Sequence, residues 1–130
     1  MPSDGRSTDP FSVYLTAACL SDSSQLQREL QRELQLPAWY GSNWDALLDC
    51  LSSLDDAAET LCRVCRGETP RSLVFCLTAW DEQLLRHDSC RTFLSVVADA
   101  NSRLASRGAT ARVWLEFSSA TPQPADGDWW

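Results

Sequence analysis

Lysine is absent from this chain and histidine occurs once, at position 87. All eleven basic residues are arginines, set against eighteen acids, for a net charge of −7. We read the all-arginine usage as coding bias, but the excess of acid has a physical meaning. Phosphate backbones reward cations, so a nucleic-acid partner is disfavoured and a basic protein partner is favoured. An acidic surface kept only for solubility remains the bland alternative. The lone His87 restricts histidine-dependent acid–base chemistry to one residue. The chain has no P-loop, no Gly-x-Gly-x-x-Gly, no His-Glu-x-x-His and no Gly-x-Ser-x-Gly. An enzyme is therefore not expected.

Long apolar runs are missing too. No stretch is long enough to cross a bilayer, and the start of the chain lacks the charged-then-apolar plan of a signal peptide. The expectation is a cytoplasmic protein with no membrane partner. The six cysteines, Cys19, Cys50, Cys62, Cys65, Cys76 and Cys90, are then expected as small buried thiols rather than a disulfide framework. Two pairs, Cys62-x-x-Cys65 and His87-x-x-Cys90, have zinc-like spacing. A core-like strand lies between them and the tight-turning glycines of zinc knuckles are lacking, so no metal and no cofactor are expected. A redox role for Cys62 and Cys65 is disfavoured because no strand-to-helix turn precedes them.

One absence is local. Between Arg32 and Arg63 there is no basic residue, yet six acids fall in the interval, and Trp39, Tyr40 and Trp44 sit among them. Periodicity places this interval within a small α/β domain of 130 residues, enough chain to bury roughly two-thirds of its unfolded surface. "FSVYLTAA" at 11–18 and "TARVWLEF" at 110–117 alternate as strands. "SLVFCL" at 72–77 is an unbroken apolar run, as in a strand buried on both faces. Leu26, Leu30 and Leu34 stripe a helix that Ser24 and Gln27 are spaced to open as a capping box and Pro37 to stop.

A second helix, "NWDALLDCLSSL", follows Gly41 with Ser42 or Asn43 as cap. Its apolar side holds Trp44, Leu47, Leu51 and Leu54, while Asp45, Asp49, Ser52 and Asp56 stripe the far side. Residues 55–67 suggest a further short helix, "AWDEQLLRHD" a brief one, and "SCRTFLSVVADANSRLASRG" a long one stopped by Gly108. Strands separated by helices imply crossovers and a three-stranded parallel sheet packed with helices. Residues 1–9 read as a disordered leader and 119–130 as a flexible acidic tail whose Trp129 and Trp130 have no assigned task.

Asp45 and Asp49 could pair as acid and base or hold Mg²⁺, but aspartates four apart are common on helices, and no cation lies near in sequence to steady a phosphate. A solvated helix face usually mixes signs; this one is only negative, so its like charges repel. Aromatic rings beside it suit an interface that excludes water and calls for an external cation.

The stretch "LQRELQLPAWYGSNWDALLDCL", residues 30–51, resembles the signature of the barstar family, intracellular protein inhibitors of the secreted ribonuclease barnase. The likeness rests on Glu-Leu-x-Leu-Pro, then aromatic-Tyr-Gly-x-Asn-x-Asp-Ala-Leu-x-Asp-Cys-Leu, and the rest of the chain agrees in element order. The resemblance implies the family's three-stranded parallel sheet over residues 10–118. It also implies a 1:1 complex in which the second helix and its preceding loop plug a basic ribonuclease's active site. Carried over through the motif, Asp49 replaces a substrate phosphate and Asp45 is a second charge partner. Trp39 stands where a family tyrosine packs on the catalytic histidine, and Asn43, Trp44, Leu48 and Ser52 fill other contact positions. Asp99, on the long helix, aligns as a further acid. Charge steering and hot-spot anchoring are ideas for which this family's complex is itself the reference case, so they arrive with the resemblance.

The departures are specific. Leu48 and Leu54 replace family tryptophans, Trp44 stands at a usual leucine, and an insertion at about 55–70 carries Cys62 and Cys65. These imply a partner other than barnase, as for the barstar-like immunity proteins encoded beside bacterial contact-dependent toxins. The alternatives are immunity against a deoxyribonuclease or a nucleotide- or NAD-modifying toxin, or a zinc- or thiol-dependent regulatory module built on the insertion.

Overall fold

The computed structural model describes residues 10–41 and 43–119. The leader at 1–9 and the tail beyond 119, with Trp129 and Trp130, lie outside the described residues. Three strands, β1 (Phe11–Thr16), β2 (Leu73–Thr78) and β3 (Val113–Phe117), form one sheet in the order β1-β2-β3, with both pairs parallel. The expected sheet is thus the observed one. Its register aligns Val13 with Phe75 and Leu15 with Leu77, then Leu73 with Val113 and Phe75 with Leu115. These side chains face the helices, and all but Leu115 are buried.

Each crossover carries helices, because parallel strands cannot be joined by a tight turn. Between β1 and β2 lie α1 (Ala17–Leu20), α2 (Ser23–Leu34) and α3 (Trp44–Leu51); between β2 and β3 lies α4 (Asp88–Ser106). Leu26, Leu30 and Leu34 of α2 are fully buried, each worth about 1.5–3 kcal/mol of transfer free energy. On α4, Phe93, Val96, Val97, Ala100 and Leu104 face inward, and the Phe93 ring meets Phe75 edge to face at 5.1 Å. Gly108, at φ 75°, ends that helix as expected.

Several local expectations are corrected. The first strand stops at Thr16, whose side chain caps the short α1. The cap of α2 is Asp22, accepting from the Gln25 amide at 3.2 Å, not Ser24. Gln27, the expected capping-box partner, is instead buried among core side chains. The helix closes at Leu34 through Gln35 in the left-handed region, before Pro37 is reached. "AWDEQLLRHD" gives a 3₁₀ segment at Glu82–Arg86.

Residues 55–67 form turns and one 3₁₀ segment, Arg63–Cys65, not an α-helix. Polar side chains fold this insertion tightly: Ser53 Oγ accepts from the Leu61 amide at 2.9 Å, and Arg66 Nε donates to Thr60 O at 2.9 Å. Thr60, Cys62 and Cys65 end up buried.

Of the outward side chains of β2, Cys76 and Thr78 are buried and Val74 is half-buried, so the both-face burial expected of the apolar run is nearly complete. Cys76 lies in register between Tyr14 and Glu116, which are exposed. At the free edge of β3, the Asn101 side chain accepts from Val113 N at 2.8 Å and donates to Val113 O at 2.9 Å.

Candidate functional site: the α3 face and the groove against α4

The segment before α3 is held from below. Tyr40 is buried and donates its hydroxyl to Gln27 Oε1, while Gln31 Nε2 donates to Pro37 O at 3.3 Å. Two glutamines one turn apart on α2 therefore fix the short 3₁₀ turn Ala38–Tyr40. Burial pushes the Tyr40 hydroxyl's pKa up, with proximity to Cys50 adding to it, so it stays a neutral donor. Trp39, beside it, turns outward and is 61% exposed. Gly41, at φ 63°, then reverses the chain; an added Cβ there would be strained by that conformation.

Asn43 caps α3, its Oδ1 accepting from Asp45 N at 2.7 Å and Ala46 N at 3.3 Å. Of the two caps the sequence offered, Ser42 and Asn43, the cap is Asn43. Asp45 falls in the first turn, where the helix dipole favours a carboxylate. Leu47, Cys50 and Leu51 bury the inner face; Trp44 and Leu48 are half-buried against the core, and Asp45 and Asp49 project into solvent. Trp44 thus belongs only partly to the apolar stripe that its spacing suggested.

Two expectations about this face are corrected. The helix ends at Leu51, so the acidic stripe consists of Asp45 and Asp49 alone. Ser52 is the C-cap, buried, with its hydroxyl donating to Leu48 O at 2.6 Å. A side chain so occupied is not presented to a partner. Asp56 lies beyond in the turn that opens the insertion.

The second correction concerns charge. The missing cations are supplied from α4, far away in sequence. Arg103 Nη1 lies 3.2 Å from Asp49 Oδ1. Arg107 grips Asp55 through Nε and Nη2, each at 2.9 Å, and its Nη2 also donates to Ser52 O. The Arg107 hydrogen bond holds the Asp55 carboxyl below the usual carboxylate range. The interval that lacks cations in sequence is therefore partly neutralised in space.

Asp99 is exposed on α4 and shares an open groove of about 280 Å³ with Leu48, Ser102, Arg103 and Ser106. Asp99 thus lies across that groove from Leu48 of α3. Trp39, Asn43, Asp45 and Asp49 form the solvent-facing part of the loop and helix, Leu48 and Asp99 the groove beside them, and Ser52 drops out. Gln31, Arg103 and Arg107 were not singled out from the sequence, and Gln27 was singled out only as a capping-box residue. The four-residue spacing in each pair was visible, but what each pair reaches depends on helix packing.

The zinc-like residues are not brought together. Among the described residues no group of three or more His, Cys, Asp or Glu could hold a metal ion. His87 is exposed ahead of α4, whereas Cys62, Cys65 and Cys90 are buried. Burial pushes the Cys50 and Cys65 thiols up to about 11 and the Cys62 thiol well above its usual value, which disfavours the thiolate that metal binding and redox exchange need. All six cysteines are free and buried. Among the described residues no helix is long and apolar enough to cross a membrane.

No curated protein gives a significant match to the chain. A family model described as Barstar (barnase inhibitor) matches residues 11–116, from the first residue of β1 almost to the end of β3. That span holds the whole sheet, all four helices and the groove, and the three-stranded parallel architecture agrees with it. The chain belongs to the Barstar (barnase inhibitor) family, whose proteins are inhibitors and not enzymes.

Proposed function

We propose that this chain is an immunity protein that binds a basic toxin, a ribonuclease, in a 1:1 complex and occludes its active site. The observation that carries the reading is the two-sided build of α3 and its loop. The inner face is locked by Leu47, Cys50, Leu51 and Tyr40, while Trp39, Asn43, Asp45 and Asp49 stand exposed on a backbone that is already fixed. Preorganised side chains lose little entropy on binding, so such a face converts contacts into affinity efficiently.

Asp49 and Asp45 stand in for substrate phosphates among the enzyme's cations, and Trp39 and Trp44 exclude water around them. Leu48 and Asp99 extend the contact across the groove. The net charge of −7 accelerates encounter with a basic partner, and the association rate falls as salt rises. The inhibitor acts inside the cell that makes it and needs neither metal nor cofactor.

The test is to capture the chain's partner enzyme by co-purification and measure its inhibition by the wild-type chain, Asp49→Ala and Asp45→Ala. The Asp49 variant should lose about 3–5 kcal/mol of binding, the cost of stranding buried enzyme cations without a partner. Unchanged inhibition by both variants would show that the toxin docks elsewhere.

A further inference from the structure

The sheet has two faces, and the helices cover only one. Val13, Leu15, Phe75, Leu77 and Val113 point into the core, to which all four helices also contribute. The opposite face carries Tyr14 of β1, Val74 and Cys76 of β2, and Trp114 and Glu116 of β3, none of which belongs to that core. Tyr14 and Trp114 are 66% and 54% exposed there, on either side of the half-buried Val74 and the buried Cys76. Purely parallel sheets occur almost only with both faces covered. What stands open here is an apolar strip flanked by two aromatic rings, the kind of patch that marks a contact surface.

The charges along β3 say what fits it. Arg112, Trp114 and Glu116 alternate with the inward Val113 and Leu115, so cation, indole and carboxylate follow one another in a line. Arg112 Nη1 donates to Ala109 O and Ala111 O, which fixes the guanidinium at one end. At the other end Cys76 Sγ donates to Glu116 Oε1 at 3.6 Å. Among the described residues neither charge has an ion-pair partner. A line of plus, ring and minus is complementary to its own reverse, which is what an isologous interface requires.

We propose that this face docks a second copy of the chain, the two sheets stacking about a two-fold axis that runs across the strands. The axis follows the in-register row of Ser12, Val74 and Trp114. Each strand then lies over its own counterpart in reverse. Trp114 meets Trp114, Val74 meets Val74, and two Arg112–Glu116 pairs flank the indoles. The helices, α3 among them, lie on the far side of each sheet, so both inhibitor faces stay open. Three strands of five or six residues offer only roughly 300 Å² in projection. The dimer is therefore weak and set by concentration.

Sedimentation of the full chain at about 5–500 µM and about 150 mM salt tests this, the salt screening repulsion between two acidic copies. The mass should climb from one chain toward two. Glu116→Arg, which sets arginine against arginine, should weaken association at least about tenfold, with Glu116→Gln in between. Exchanging the charges in one chain, Arg112→Glu with Glu116→Arg, should restore it to within about threefold of wild type. Trp114→Asp should stay a single chain throughout. Circular dichroism checks the fold of each variant, and if the exchanged chain does not fold, the order of wild type, Gln and Arg at position 116 decides. A single-chain mass in every wild-type sample overturns the proposal, whether the face stays bare or another molecule covers it. So does a dimer that survives both Glu116→Arg and Trp114→Asp, which would place the contact elsewhere.

Discussion

Asn43 serves folding and display with the same carboxamide. Its Oδ1 takes up the first amides of α3 and so fixes where Asp45 leaves the helix. Replacing it with alanine should cost about 1 kcal/mol of stability, read as a lower urea midpoint with an unchanged slope. A midpoint equal to wild type would mean that water caps the helix as well as the side chain does. This role was legible in the sequence as one of two choices, because Ser42 and Asn43 both precede the apolar-periodic run and both side chains suit a cap. Gln27 was not. Its spacing from Ser24 suits a helix start, and only the packing of Tyr40 against α2 reveals that the amide holds the segment before α3. Ser52 failed for the related reason that spacing assigns a residue to a face but cannot say where the helix stops.

Between elements, Arg107, the C-cap of α4, makes a two-pronged ion pair with Asp55 in the turn after α3. Because Arg107 holds the Asp55 carboxyl below its ordinary range, the unfolded chain binds that proton more readily than the folded one. The pair's contribution is complete above the ordinary carboxylate pKa and is lost as pH falls through the lower folded value. The stability difference between wild type and Arg107→Ala should therefore be widest near neutrality and shrink in that acidic window, as urea unfolding at a series of pH values would show. A difference that stayed constant would assign the arginine's effect to its contact with Ser52 O instead. β1 and β3 were readable from period-two alternation, β2 from its unbroken apolar run, and the two longer helices from the helical spacing of their apolar residues. The pairing of Asp49 with Arg103 and of Asp55 with Arg107 was not, because more than fifty residues separate the partners and only the α3–α4 packing joins them. The insertion escaped reading too: its order comes from Ser53, Thr60 and Arg66 bonding to backbone, a pattern without period.

At the scale of the whole molecule, one core gathers side chains from all three strands and all four helices, and five of the six thiols lie in it. Burial pushes Cys19, Cys50 and Cys65 up to about 11 from an ordinary value of 9.0. Thiolate is the reacting species, so near pH 8 these positions should label at least about 100-fold more slowly in the native protein than in denaturant. Rapid labelling of the folded chain would mean that the insertion carrying Cys62 and Cys65 opens readily. The edge of the sheet has a consequence of its own. With both outward backbone groups of Val113 taken by the Asn101 amide, a stray extended peptide finds no free rung there on which to begin. The first residue of β3 is thereby closed to edge-to-edge pairing with a second copy of the chain.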